Sequence, residues 1–497
     1  MVPQAVVTPA DQRDAAQITR FCCENGVALT PRAGASNTGG AAIGEGVILL
    51  PVPPLAEDGG IRLVQEYTTV EKPTFVEVRP TTGAADGDCL LVEVDAGVRH
   101  DSLQRFLLAR GFHLPSDPSS GPLSYVGANV ATRASGAHAL RHGAIDRYLH
   151  SLTAVLGNGT CIDTARTDTI PQSIQSGLTA VAATLRSNAG LSARIRGRQA
   201  MKSASGYNLA AVIAPGGPDI ARLFAGSVGT LGTISRVRLR CPRRPAGETL
   251  LVLAFDTERA ACDAVQAVRG TNPAACEILN QFCTELLQQQ GLSLADGAGA
   301  ILVIEYAGTG HDHLAHEALR VLTSQSNPAA RQLLSDPAQQ QTFWKLRKAM
   351  MLRLRNRKDG RRAYSVVNDL GVPVDALGSF LTAAHAIFAS HNIPLPVYGH
   401  AADGNLHLRP LFNGSDPQLI DTVREVTQQT YEAVLSFDGT ITAEHGMGRL
   451  RAPFLRREWG EAAYDAMRQI KRLFDPAEIL NRDAMFYEGD IMHHFRA

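Results

Sequence analysis

The stretch VYGHAADGNLHLRPLF, residues 397 to 412, places His400 and His407 on either side of an Asp403-Gly404 pair, and TAEHGMGR further on adds Glu444 and His445. Asp-Gly between alternating apolar residues is a strong signal for a two-residue hairpin turn. A turn centred there pairs Ala402 with Asn405, Ala401 with Leu406 and His400 with His407, which puts two imidazoles opposite each other with β-carbons about 5 Å apart. His407 and Arg409 then share one face of the second strand, and Leu406 and Leu408 the other. Two such rings suit a divalent cation, and a carboxylate such as Glu444 completes a set that leaves one position open for a reacting oxygen. The spacing alone also fits a solvated hairpin with a harmless histidine pair, the commoner fate of a short motif. Glu444 and His445, beside Gly446 and Gly448, tip the reading towards the metal.

Composition limits what else the chain can be. Its 497 residues exceed one core, so two or three domains are expected, and 44% hydrophobic with 19% charged residues describes a folded protein. Lys+Arg and Asp+Glu are equal at 48 each, which argues against nucleic acid or an anionic membrane held by bulk electrostatics. Arg194, Arg196, Arg198 and Lys202 form the one local basic cluster that stands out. The eight cysteines contain no C-x-x-C, so a thiolate zinc site or an iron–sulfur cluster within the chain is not expected, and reduced intracellular thiols are. The N-terminus lacks the basic and apolar regions of a secretory signal, and no run of about 20 apolar residues occurs.

The elements that must position these residues can be outlined. TPADQRDAAQITRFCCENG reads as a helix capped from Thr8, with Pro9 and Asp11 in its start signal, Ile18, Phe21 and Cys22 on one face, and Gly26 as its stop. Strands are expected at VALTP, VILLPV and CLLVEVDAGV, and a helix at RHDSLQRFLLARG. Residues 53 to 88 look like an insertion, with a hairpin hinted by TFVEVRP. Pro242 and Pro245 mark the best boundary. Beyond it, strand-like TLLVLAFD and AILVIEYAG alternate with helical HLAHEALRVLTSQ and QQTFWKLRKAMMLRLRNR. The end, EAAYDAMRQIKRLFDPAEILN, is a helix closed by Asp475-Pro476, and DIMHHFRA reads as an exposed tail.

PRAGASNTGG follows a strand, as a phosphate-cradling loop does, yet it is neither G-x-x-x-x-G-K-[ST] nor a G-x-G-x-x-G that opens a helix. Three small-residue loops in one half suggest a groove for a dinucleotide. TPRAGASNTGG, PSDPSS, VGANVATRASGAHALRHG, SGYNL and GSVGTLGTIS, in that order, resemble the FAD-binding half of the FAD-linked D-2-hydroxy-acid dehydrogenases, which have the vanillyl-alcohol-oxidase or PCMH-type fold. GHAADGNLH, TAEHGMG and LNRD resemble the carboxy-terminal half of the same family.

The resemblance implies that Arg32, Ala33, Gly34, Ala35, Ser36, Asn37, Thr38 and Gly39 wrap the FAD pyrophosphate. Pro118, Ser119, Gly127, Asn129, Thr132 and Gly143 would line the flavin and its ribityl chain, Ile234 would back the adenine side, and Asn481 would reach the flavin. Relatives that attach flavin covalently use His or Cys; the first loop has neither, so noncovalent FAD is implied. The equivalents of His400, His407 and Glu444 hold a divalent metal, zinc or manganese, and that of His445 faces the substrate. Arg347 matches the arginine that binds the substrate carboxylate, and Arg409 is a second candidate. Oxidising a 2-hydroxy acid removes a hydride from carbon and a proton from oxygen. The gap between an alcohol near ~15.7 and histidine near ~6.5 corresponds to about 12 kcal/mol. A cation that lowers bound water to ~7 closes most of it.

Relatives acting on D-2-hydroxyglutarate carry a threonine at the position of Met351, a lysine at that of Val367 and an asparagine at that of Arg409, so that substrate is not carried over; Val228 replaces a usual glutamate. LHLRPLF resembles a subgroup fused to an iron–sulfur module, which makes a separate iron–sulfur subunit, a quinone or a cytochrome the expected electron acceptor. The expected fold is α+β: a two-lobed PCMH-type FAD domain over 1–243, a substrate domain with an antiparallel sheet over 244–440, and a segment over 441–497 that returns to the FAD site. The expected location is cytoplasmic, peripheral at the inner membrane through a partner. Two other activities fit the same scaffold, a non-redox flavin-dependent transferase of the kind that makes ether-lipid precursors and a subunit that only relays electrons.

Overall fold

A computed structural model describes residues 1–53, 59–67, 89–294 and 297–495. The hairpin expected at TFVEVRP lies outside the described residues. The chain forms two compact units: Met1–Gly136, Ala144–Arg244 and Glu444–His494 in the first, and Ala137–Gly143, Pro245–Ala443 and Phe495–Ala497 in the second.

In the first unit, Val47–Leu49 is the central strand of a three-stranded parallel sheet, flanked by Ala5–Val7 and Leu29–Pro31. The helix Gln12–Glu24 starts later than Thr8 would place it. Asp11, not Thr8, is its cap, accepting from Asp14 N–H at 2.8 Å, while Asp14 returns a bond to Ala10 N–H at 2.9 Å. Ala15, Ala16, Thr19 and Cys22 face inward, and Phe21, expected on that face, is 60% exposed. Cys22, Leu29 and Leu49 pack with Ile479 and Leu480 from the C-terminal segment.

The second sheet of this unit is antiparallel, in the order Ile61–Tyr67, Cys89–Asp95, Thr233–Pro242, Leu149–Val155, Cys161–Asp163. Asp146 is buried beside it. Burial pushes the Asp146 carboxyl up, but Arg133 at 3.1 Å and Arg222 at 3.5 Å outweigh this and hold it below the usual carboxylate range. The amphipathic helix Glu461–Phe474 ends on Asp475. Lys471 Nζ, buried at its last turn, donates to Asp475 Oδ2 at 2.6 Å and to the carbonyls of Thr230 and Leu480, both at 2.8 Å. Asp475 in turn accepts from the N–H groups of Leu480 at 2.8 Å and Ile479 at 3.2 Å. The tail is not exposed as expected: Ile491, His494 and Phe495 are buried, because apolar Ile491 and Phe495 find cover. The basic cluster is largely absorbed, with Arg198 pairing with buried Glu458 at 3.0 Å and Lys202 with Glu444 at 2.6 Å.

The second unit is built on a seven-stranded antiparallel sheet. Its order is Ala330–Leu334, Glu248–Phe255, Ala300–Ala307, Ala275–Asn280, Val397–His400, Asn405–Leu408, Leu370–Gly371. The central strands are mostly apolar and, apart from Glu248 at one end, buried, as strands covered on both faces must be; Glu277 and Glu305 are buried acids within them. Leu250, Val252, Leu279, Ile301 and Val303 form a core with Phe343, Met350 and Leu354 of the helix Pro337–Arg355. The short Ala137–Gly143 segment groups with this unit, where Arg141 donates to the carbonyls of Ala307 at 2.7 Å and Asn272 at 3.0 Å.

Lys471→Met, which strands the buried Asp475 charge, is expected to lower stability by about 3–5 kcal/mol in urea unfolding. The exposed control Arg472→Met should stay within about 0.5 kcal/mol. Because the folded Asp146 carboxyl is depressed, its contribution is full above the unfolded value near 3.9 and lost as pH falls through the folded one. Asp146→Asn should therefore be less stable at neutral pH and show a flatter acid limb in unfolding curves across the acid range.

Candidate functional site

The histidine hairpin forms, but in another register. Val397–His400 and Asn405–Leu408 pair with His400 opposite Asn405 and His407 opposite Tyr398, not with each other. A two-residue turn of the expected type needs two left-handed residues, and only Gly404 (φ 69°) adopts that conformation; Ala401–Asp403 instead make a turn of 3-10 helix. A β-carbon on Gly404 would lie 1.9 Å from the Val372 carbonyl oxygen, so the loop is pressed against that strand. The imidazoles still meet as diagonal neighbours, with ring centroids 5.2 Å apart at 87°.

Both rings are oriented through Nδ1. That of His407 lies 3.0 Å from the Asn368 carbonyl oxygen, which only accepts, so Nδ1 carries the proton and Nε2 the lone pair. That of His400 donates to Glu277, the residue directly opposite it on Ala275–Asn280. Such bonds fix the tautomer in which Nε2 is the ligating nitrogen. Glu277 is fully buried; burial pushes its carboxyl up, yet Arg347 and His400 prevail and hold it at about 2. Sequence reading missed it, although a lone glutamate in the apolar run ACEILN was the available signal.

Arg347 lies on the inner face of Pro337–Arg355, donates from Nε to Glu277 Oε2 at 2.5 Å, and stacks over Tyr398 at 4.4 Å. Its guanidinium is therefore neutralised by protein. Arg409 is 3% exposed and donates to two neutral hydroxyls, Tyr398 at 3.0 Å and Ser365 at 3.2 Å. Among the described residues no carboxylate pairs with it.

Glu444 and His445 belong to the first unit. Glu444 is salt-bridged to Lys202 at 2.6 Å and accepts from Ser135 Oγ at 3.3 Å. His445 has Nδ1 3.5 Å from Thr38 Oγ1. Asn37 joins the two loops: its Nδ2 donates to the carbonyls of His445 at 2.8 Å and Met447 at 3.1 Å, while its Oδ1 accepts from Gly39 and Ala41 N–H, both at 2.9 Å. Its side chain is thus a brace between the two loops.

The same loop has the makings of an anion cradle. Among the described residues, none of the N–H groups of Ala33, Gly34, Ala35 and Ser36 donates to a backbone carbonyl. Ala35 is left-handed at φ 54°, and a β-carbon on Gly34 would lie 2.1 Å from the Leu123 carbonyl oxygen. Successive N–H groups beside a left-handed residue form the concavity that binds phosphate. Arg32 opens the loop with its N–H on Leu49, and Gly39 closes it against Gly448, whose β-carbon would lie 2.2 Å from the Gly39 carbonyl oxygen.

The remaining expected cofactor residues divide by role. Pro118 and exposed Ser119 lie in the turn whose Gly121 N–H donates to the Pro118 carbonyl at 2.8 Å. Gly127, Asn129 and Thr132 belong to the helix Val126–Thr132. Gly127 packs so closely that a β-carbon there would lie 2.5 Å from that of Ala96, and the Asn129 amide is 3.2 Å from His100 Nδ1. Ile234 is buried in Thr233–Pro242, and Gly143 ends Ala139–His142 in the second unit. Asn481, expected to reach the flavin, places both amide hydrogens on protein carbonyls, Ala41 at 2.9 Å and Val228 at 2.6 Å, and accepts from Arg449 at 3.2 Å.

Two family models match the chain. Residues 3–55 and 73–165 match the family model described as FAD binding domain, and residues 244–485 match FAD linked oxidases, C-terminal domain. The chain is 26% identical to the mitochondrial cytochrome-type D-lactate dehydrogenase of Arabidopsis thaliana, covering 97% of this chain and 73% of the relative. It is 24% identical to the glycolate oxidase subunit GlcD of Bacillus subtilis (98% and 89% covered), and 25% identical to the mitochondrial D-2-hydroxyglutarate dehydrogenase of Danio rerio (96% and 77%). A solved p-cresol methylhydroxylase superposes with a TM-score of 0.64 at 12% identity, over 98% of this chain and 89% of that one. A 4-ethylphenol oxidase from Gulosibacter chungangensis does so with 0.64 at 14%, over 97% and 89%. These two establish the PCMH-type fold.

Gly34→Ala should displace the cradle from Leu123. The expected result is a folded protein, judged by circular dichroism, whose visible flavin absorbance per chain falls at least severalfold.

Proposed function

The chain belongs to the FAD-linked 2-hydroxy-acid dehydrogenases, and on that premise we propose that it oxidises a small D-2-hydroxy acid with one carboxylate to the 2-oxo acid, passing electrons to an acceptor other than oxygen. The observation that carries the reading is the pair of rings, His400 and His407, whose Nδ1 atoms both face protein acceptors. Histidines so oriented present Nε2 lone pairs, which is the arrangement a cation requires.

Bound FAD supplies the hydride acceptor, and a divalent cation, zinc or manganese, supplies a Lewis acid for the substrate hydroxyl. His400, His407 and Glu444 are the residues proposed to hold that cation. His445 is assigned the hydroxyl proton, since a neutral imidazole can accept one. Arg409 is assigned the substrate carboxylate: a buried guanidinium bonded only to hydroxyls is poorly compensated, and an anion relieves it. Arg347, the first choice from the resemblance, has Glu277 as its counter-ion. One uncommitted guanidinium suits one carboxylate, which favours substrates of the lactate and glycolate type over dicarboxylates. For the acceptor we propose an iron–sulfur partner, a quinone or a cytochrome. Among the described residues no helix is long and apolar enough to cross a membrane.

The test is anaerobic bleaching of the flavin by D- and L-2-hydroxy acids with one or two carboxylates, with and without a chelator. Monocarboxylic D-acids should bleach it and the chelator should slow them. Bleaching by none, with acyl and alkyl exchange instead, would replace this activity with a transferase, and chelator-insensitive bleaching would remove the cation. His445→Ala should lower kcat/KM by about 10²–10⁴ with flavin content intact. Arg409→Met should raise KM for hydroxy acids while leaving hydroxyl-only alcohols unaffected.

A further inference from the structure

We propose that Glu277 is a positioning residue for the oxidation site: it holds His400 in the tautomer whose Nε2 faces a cation. The inference rests on the reading of His400 and His407 as cation ligands. No exposed carboxylate can substitute for it, because Glu277 is completely buried in Ala275–Asn280 and every other residue of that strand is buried too.

Both of its oxygens are committed. Oε1 receives the proton of His400 Nδ1, and Oε2 accepts from Arg347 Nε, with the guanidinium as its ion-pair partner. The register makes this obligatory, since Glu277 stands directly opposite His400 in the sheet while Gly399 and Tyr398 pair with Ile278 and Leu279. Packing supplies no reason for a carboxylate here: its strand neighbours Cys276, Ile278 and Leu279 are core residues, and an apolar side chain would avoid burying charge. What a carboxylate adds is direction. Against an imidazole Nδ1–H it fixes both the ring plane and the position of the proton, and metal-ligating histidines use such partners to keep the second nitrogen available. Against a guanidinium it is a counter-ion that accepts from Arg347 Nε. His407 has a neutral carbonyl behind its Nδ1, whereas the Nδ1 of His400 is backed by a carboxylate.

The experiment measures cation binding on the full chain with its flavin, stripped of metal and titrated with zinc against a chromophoric chelator. E277Q should weaken zinc about 10–100-fold. E277Q/R347M removes both charges together, so that no ion is left stranded, and should keep the same weakening with thermal stability recovered. Zinc binding by the double variant as tight as in the parent would overturn the proposal. Absence of zinc binding in the parent itself would instead defeat the cation reading, and the two failures are thus told apart. Should neither variant fold, nitrogen-15 histidine spectra of the metal-free parent decide: the His400 signal, assigned by its loss in His400→Gln, is expected as the Nδ1–H form, and an Nε2–H form overturns the inference.

Discussion

A carboxylate with no access to water must be met by cations or hydrogen-bond donors on every side, and in the second unit that requirement falls on Glu277. Three elements converge on it: its own strand, the strand carrying His400, and the helix carrying Arg347. A slip of one residue between Ala275–Asn280 and Val397–His400 would turn His400 to the opposite face and leave the carboxylate with one partner. The penalty for an uncompensated buried charge, about 3–5 kcal/mol, exceeds what most single contacts contribute, so the ion cluster fixes the register as firmly as the apolar core does. It also explains why one cation of a basic helix turns inward. Lys345, Lys348, Arg353 and Arg355 lie towards solvent or at its margin, while Arg347 joins Phe343, Met350 and Leu354 on the buried face.

The first unit meets a comparable demand with neutral groups. Asn37 and Asn481 each tie together segments more than 400 residues apart in sequence, with an amide nitrogen on carbonyls and an amide oxygen on donors. An amide suits this because it offers two donors and an acceptor without the desolvation penalty of a charge. Asn481 and Val228 are both left-handed, at φ 42° and 46°, and the Asn481 amide holds the Val228 carbonyl at 2.6 Å. For a β-branched residue that conformation is strained. A cluster of contacts therefore sustains a backbone shape that the valine alone would not choose, next to loops that close on a cofactor.

Much of this was legible because it depends on local pattern. The glycine loops, the amphipathic helices at both ends and the apolar strands of the second sheet follow from spacing and residue type, and the order of motifs carried the FAD-binding fold. What escaped depends on partners far away in sequence. Asp403-Gly404 looked like a two-residue turn, and only the pressure of Val372 on Gly404 lengthens it. Thr8 looked like a cap until Asp11 and Asp14 offered a reciprocal one. The bracing bonds of Asn37 and Asn481 escaped because a motif tells which residues recur and not where their hydrogen bonds end. Glu277 was passed over for a related reason: one acid in an apolar strand stands out, but nothing local names the histidine and arginine that justify it.

The departures from hydroxyglutarate-active relatives can be weighed by position. Met351, where those carry threonine, is 37% exposed, and Val367, where they carry lysine, is fully buried. A lysine confined there would require an anion or a route to water, whereas valine requires neither. Arg409 stands where those relatives have asparagine. Exchanging a buried ammonium at one position for a buried guanidinium at another conserves charge while moving it next to Tyr398 and Ser365. Arg347 is matched by Glu277, whereas among the described residues no carboxylate pairs with Arg409, so the two buried guanidinium groups differ in how fully protein compensates their charge.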